Sequence, residues 1–324
     1  MIGQVSPTDV HHAKVEVALG HDQRADAAAA AVLRRLLEVV RDNLEGAIAG
    51  TDPEHLHQLR IAVRRSRTVL RQFKRVFPAL ELPGFRSELR WLQRATGDAR
   101  DLDVYVEDFD DLAALLEKRL RGDLEPLQLV LARRRVAARA RLEQTLRSER
   151  LNDLFEDWER LLESLVELPL DERPDAQRSI GSLTGERVVK LYDRILAMGR
   201  QIDADSPAES YHELRKKGKE LRYLLDLFAI RTFDADVVSP FLRSLKELQD
   251  LLGRHQDREV QTTMLRGLSD EVAALPGGPT ACVTMGVLLE RLAADERAAR
   301  AEFAERFAAL AAPDRRVLVA SVFG

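Results

Sequence analysis

A basic amphipathic segment occurs twice in this chain, and its recurrence dictates the architecture. His57-Gln58-Leu59-Arg60 with Arg64, Arg67 and Leu70 reappears as His212-Glu213-Leu214-Arg215 with Lys219, Arg222 and Leu225, at a separation of 155. A start signal precedes each copy, Asp52-Pro53-Glu54 and Ser206-Pro207-Ala208-Glu209. A capping side chain followed by proline in the first turn is how a helix opens. The next segments match at 156: Leu89-Arg90 against Leu245-Lys246, Gln93 against Gln249, Gly97 against Gly253, Asp101 against Asp257, Val104 against Val260. One residue of slack fits a loop insertion. The repeat predicts two homologous halves related by pseudo-two-fold symmetry.

What lies between the matched segments is helical in pattern. Gly and Pro are few (17 and 12), aromatics make up 5%, and Ala, Leu, Arg and Glu abound. Such a mix favours an all-α fold and excludes a β-sandwich, a disordered chain or a disulfide scaffold. Helices are predicted over about 27–50, 54–77, 85–96, 102–120, 127–150 and 153–168, then 187–199, 211–231, 241–252 (stopped at Gly253), 258–275 and up to 310. Residues 1–22 read as a flexible arm, and 23–315 as the folded unit. Its first half covers about 23–168, its linker 169–176 and its second half 177–315; residues 316–324 read as a tail. The fold expected is two pseudo-symmetric four-helix-bundle halves around a central basic groove or pore.

The formal net charge of −4 suggests no taste for polyanions, but the arrangement contradicts the average. At 100° per residue His57, Arg60, Arg64, Arg67, Arg71 and Arg75 fall within a sector of about 80°, opposite Leu59, Val63, Leu70 and Phe73. Arg86, Arg90 and Arg94 recur at every fourth position of the following helix. Like charges so spaced repel by a few tenths of a kcal/mol per pair, so a sequence selected for stability alone would alternate signs. A solvated basic face explains one such stripe; it explains poorly a stripe repeated in register. A row of guanidinium groups suits an extended polyanion. The second copy is weaker, with Asp226 matching Arg71, Asp250 matching Arg94 and Gln256 matching Arg100.

Other chemistry is sparse. His55 and His57 lie two apart, on different sides of a helix, and no His or Cys spacing forms a metal site. Asp101, Asp103, Asp257 and Glu259 suit helix capping or arginine orientation better than paired acid–base catalysis. Arg133-Arg134-Arg135, with Arg139 and Arg141, reads as a solvated run, and Trp91 and Tyr223 read as core residues. No P-loop, GxGxxG, GxSxG or HExxH pattern occurs, and no nucleophile is paired with a base.

On His57-x-x-Arg60-x-x-x-Arg64-Arg65-x-Arg67, Gly97-x-x-Arg100-Asp101-Leu102-Asp103-Val104 and His212-x-x-Arg215-x-x-x-Lys219-x-x-Arg222-Tyr223, the chain resembles the CHAD domain family, the conserved histidine α-helical domains. The likeness runs from about residue 22 to 315. It implies two four-helix halves whose repeated helices line a basic pore or groove that binds inorganic polyphosphate. It also implies kinship with modules beside triphosphate-tunnel (CYTH) enzymes and with stand-alone proteins on polyphosphate granules. Carried over by position, the implied polyphosphate contacts are Arg35, His57, Arg60, Arg64, Arg67, Arg90 and Arg94, then Lys190, His212, Arg215, Lys219, Arg222 and Lys246. A CYTH module opens with alternating glutamates before a lysine; Lys14-Val15-Glu16-Val17-Ala18 does not supply that pattern.

The expectation is a non-enzymatic polyphosphate binder without a cofactor. Two alternatives stand beside it. A nucleic-acid binder would use the same face, but no aromatic platform interleaves the arginines. A phosphoanhydride-processing enzyme would need a Mg²⁺-binding carboxylate cluster, which does not stand out. One cysteine, Cys282, and an N-terminus without a signal-peptide pattern point to the cytoplasm. The uncharged run 272–289 is broken at Pro276-Gly277-Gly278-Pro279 and does not read as a membrane span.

Overall fold

The computed structural model describes residue 12 and residues 15–324. Its first helices are α1 (Ala25–Asp42), α2 (Leu44–Ala49), α3 (Pro53–Gln72), α4 (Leu82–Ala95), α5 (Gly97–Glu107), α6 (Phe109–Ala114), α7 (Glu125–Leu146) and α8 (Glu149–Ser164). Then follow α9 (Ile180–Gly199), α10 (Ala208–Leu224), a π-helical turn (Leu225–Ala229), α11 (Ile230–Thr232), α12 (Ala235–Ala273), α13 (Gly278–Leu310) and α14 (Pro313–Phe323). Short 3₁₀ turns cover 74–76 and 118–124. Among the described residues no strand occurs, only an isolated bridge between Arg24 and Ser179. No helix of these residues is long and apolar enough to cross a membrane.

The first basic helix forms as its sequence dictates. The Asp52 carboxylate accepts the Glu54 N–H at 2.8 Å and Pro53 occupies the first turn. Leu56, Leu59, Val63 and Leu70 bury its apolar side completely. The predicted helix 27–50 instead divides at Asn43. The Asn43 amide donates to the Val39 carbonyl at 2.9 Å, and its oxygen lies 3.0 Å from His55 Nδ1. Gly46 admits the His55 ring, because a Cβ there would sit 2.4 Å from it. A buried histidine thus fastens α2 to the first turn of α3.

Several expectations are corrected. The predicted break at Gly253 is absent: 39 residues run as one helix, α12, with Leu245, Leu248, Leu251 and Leu252 buried before the glycine and Leu265, Leu268 and Val272 buried well after it. The segment 169–176, expected as the linker, is anchored. Arg173, 1% exposed, donates to the carbonyls of Leu165 (2.6 Å), Leu168 and Pro169 (3.0 Å), closing the end of α8. It also lies 3.6 Å from the fully buried Asp26. Residues 316–323 of the expected tail belong to α14, which packs on α9 with Val319 and Phe323 buried. The arm expected over 1–22 lies mostly outside the described residues; within it Val15 and Leu19 are buried.

The interior has two apolar clusters. The larger joins α1, α3, α4, α8, α9, α10, the first part of α12 and α14. The smaller joins Phe109–Leu131 with Leu265–Leu292. Each includes residues from both sequence halves. The two basic helices, α3 and α10, pack against each other, with α4 beside α3 and α12 beside α10.

Candidate anion-binding cleft

A cleft of about 300 Å³ opens where α3, α4 and α10 meet. Arg64, Arg67 and Arg71 reach it from α3, Arg86 and Arg90 from α4, and Arg215, Lys216 and Lys219 from α10. Tyr223, with a 3% exposed side chain, forms part of its floor. Its ring lies under the guanidinium groups of Arg65 and Arg222, at 5.6 and 5.7 Å. Among the described residues Glu220 is the single acid lining the cleft, and it is engaged: Arg71 lies at 3.2 Å, Lys217 at 3.0 Å, and the Gln72 amide donates to it at 3.0 Å.

Among the described residues Arg64, Arg67, Arg86, Arg90 and Lys219 have no carboxylate within 4 Å, whereas most other arginines of the chain do. The electrostatic consequence is visible in the cations themselves. Burial lowers the Arg67 pKa, and Arg71, Arg90, Arg64 and Arg94 lower it further. The Lys219 ammonium is pushed down to about 7, first by burial and then by Arg215, Arg64 and Arg222, with Asp257 opposing. Cations held together without counter-ions create a standing demand for an anion.

Arg215 also borders a second cavity, of about 610 Å³, between α5 and α12. His212, Gln256, Asp257, Asp101, Tyr105 and Asp108 line it. His212 Nδ1 hydrogen-bonds the Gln256 side-chain oxygen, and Arg215 stands 4.0 Å from Asp257. Burial pushes the carboxyls of Asp101 and Asp257 upward in pKa against the pull of Arg60 and Arg215. Matched positions keep matched neighbours here: Gly97 backs onto the Arg60 guanidinium and Gly253 onto that of Arg215, and a Cβ would stand 3.8 Å from each.

The structure therefore gathers Arg64, Arg67, Arg90, Arg215 and Lys219, and sets His212 beside them in the adjoining cavity. Arg94 stands close enough to Arg67 to depress it. Arg60 is spent on the end of α4, donating to the Gln93 carbonyl and the Thr96 hydroxyl, both at 2.8 Å; burial brings its pKa to about 10. His57 is half-buried, its pKa lowered by burial and by Arg100. Arg222 lies on Tyr223. Arg35 is held by Glu38 at 2.9 Å, and Lys190 and Lys246 are exposed on α9 and α12; these three line neither cavity.

Arg71, Arg86 and Lys216 join the cleft although positional carry-over omits them. The first two were visible in the fourfold spacing of their stripes. In the run expected to be mostly solvated, Arg133, Arg134 and Arg141 are exposed, while Arg135 and Arg139 are partly buried. Arg135 Nε donates to the fully buried Asp103 at 2.8 Å, and Arg139 binds both of its oxygens, tying α5 to α7. Among the described residues no group of three or more His, Cys, Asp or Glu is disposed to hold a metal ion.

An all-helical module whose two basic helices face one another across a cation-lined cleft has a family to which it can be compared. The CHAD domain family model matches residues 31–266, and the chain belongs to that family. It is similar to the crystal structure of the CHAD domain from the plant Ricinus communis, with a TM-score of 0.77 and 25% identity, over 94% of this chain and 97% of that one. PptA from Streptomyces chartreusis shares the fold, with a TM-score of 0.68 and 18% identity over 88% of this chain and 99% of that one. Two uncharacterized Mycobacterium tuberculosis proteins, MT2285 (strain CDC 1551 / Oshkosh) and Rv2226 (strain ATCC 25618 / H37Rv), are 29% identical over 238 residues. That is 73% of this chain and 44% of theirs, so the chain spans less than half the length of these relatives.

Proposed function

We propose that the protein binds inorganic polyphosphate without chemical turnover, in the cleft between α3, α4 and α10. The observation that carries this reading is the set of five cations without a carboxylate partner around one opening, Arg64, Arg67, Arg86, Arg90 and Lys219. Membership of the CHAD domain family supports it. Arginines from two helices can grip successive phosphates with paired N–H donors. Arg215, bordering both cavities, supports a polymer that extends past the cleft over a small anion that ends within it. Binding of this kind would also hold the protein on polyphosphate granules.

The test is a titration of long-chain polyphosphate at several salt concentrations. By analogy with nucleic acids, six to ten phosphate contacts cost about 10³–10⁵ in affinity between 50 and 200 mM salt. The triple variant Arg64→Ala, Arg67→Ala, Arg215→Ala should lose binding while remaining helical. Unchanged binding in that variant, or displacement of polyphosphate by RNA at equal phosphate concentration, would refute the assignment.

A further inference from the structure

Eight of the 50 basic residues are lysines, and two of them, Lys216 and Lys219, line the cleft. Lys219 projects from α10 among Arg215 and Arg222 of its own helix and Arg64 of α3, with Asp257 of α12 the acid that acts on it. Its neighbours on the helix differ. Lys216 is bound by Glu213 and Lys217 by Glu220, so each is a paired ammonium; Lys219 has no such partner among the described residues. A partly buried primary amine surrounded by cations is the arrangement that leaves a lysine nucleophilic.

We infer that Lys219 is a site of N-acylation by small acyl phosphates, whose phosphoryl group the surrounding guanidinium groups hold while the amine attacks the carbonyl. The step balances without a further reactant. The Nζ lone pair forms a bond to the carbonyl carbon, the bond from that carbon to the phosphate oxygen breaks, and inorganic phosphate leaves. The proton lost from Nζ passes to water. Arg64 and Arg215, which favour the bound phosphoryl group, also favour its departure as an anion. In the unliganded cleft a pKa of about 7 leaves a large fraction of Lys219 as free amine at neutral pH when the acyl phosphate arrives, whereas an ordinary lysine has about 0.04%. Acylation removes one cation from the lining of the cleft, so it would weaken polyanion binding. The inference deepens the anion-binding reading of the same site and rests on it.

The probe is acetyl phosphate, added to the full chain at pH 7.5, with acetylation of each lysine followed by peptide mass spectrometry. Lys219 should acetylate at least about tenfold faster than the exposed Lys74 and Lys118. That preference should shrink markedly with N-acetylimidazole, which carries no phosphoryl group. Arg64→Gln should slow Lys219 while leaving Lys74 unaffected. A rate at Lys219 no greater than at Lys74 and Lys118 overturns the inference, as does an equal preference with the uncharged reagent. Long-chain polyphosphate should protect Lys219. Saturable polyphosphate binding with no preference at Lys219 sinks the acylation alone. Preference at Lys219 that polyphosphate cannot suppress sinks the polyphosphate reading alone.

Discussion

At the scale of single residues, charge that the sequence leaves in one average is divided into two kinds. Arg135 and Arg139 spend theirs on Asp103, and Arg173 spends its own on carbonyls and Asp26. The cleft cations keep theirs. Each kind makes its own prediction. Asp103→Ala removes the acceptor and leaves two partly buried guanidinium groups facing each other, so thermal melts should show a loss of about 2–4 kcal/mol; a loss below 1 kcal/mol would mean that the clamp is incidental. For Lys219 the sign is set by its low pKa. Bound phosphate favours the ammonium and raises that pKa, so binding above pH 7 takes up a proton. Polyphosphate affinity should therefore fall by up to about tenfold per pH unit between 7 and 9. Lys219→Met should flatten that profile, and an identical slope in the variant would contradict the linkage.

At the scale of elements, the outcome shows what a sequence reading captures. The opening of α3 was legible because Asp52, Pro53 and Glu54 act within one turn. The cation stripes were legible because their spacing is local as well. What escaped depends on contacts distant in the chain. Gly253 resembles a stop signal, but leucines packed against α10 and α13 carry α12 through it. Arg60 reads as a member of the stripe, yet the open end of α4 claims it. Glu220 offers no sign in sequence that Arg71 from α3 will meet it. The continuity of α12 is testable. A glycine inside a helix costs about 0.5–1 kcal/mol relative to alanine, and a Cβ at Gly253 would stand 3.8 Å from Arg215, an ordinary contact. Gly253→Ala should therefore raise the unfolding midpoint; a lower midpoint would show that Arg215 needs the space.

At the scale of the molecule, the repeat and the cores partition the chain differently. The sequence suggests two bundles side by side, but both apolar clusters mix segments from the two halves. Buried residues of 109–131 share one cluster with those of 265–292. Unfolding should accordingly be a single cooperative transition, with calorimetric and van't Hoff enthalpies in agreement. Two separable transitions, one for each sequence half, would argue for independent bundles. The same interleaving means that residues 1–168 expressed alone should not form a stable fold.

The length of α12 has a mechanical consequence. At 1.5 Å per residue its 39 residues form a rod of about 58 Å, seated in the larger core near one end and in the smaller core near the other. Its middle, around Gln249 to Asp257, adjoins α10 and the cation that borders both cavities. A pivot at that point would have arms of about equal length. A tilt of 1° about it swings the α12–α13 hairpin tip at Pro276-Gly277 through about 0.5 Å. A ligand that draws α10 closer to α3 would thus be registered as leverage at the far end of the molecule.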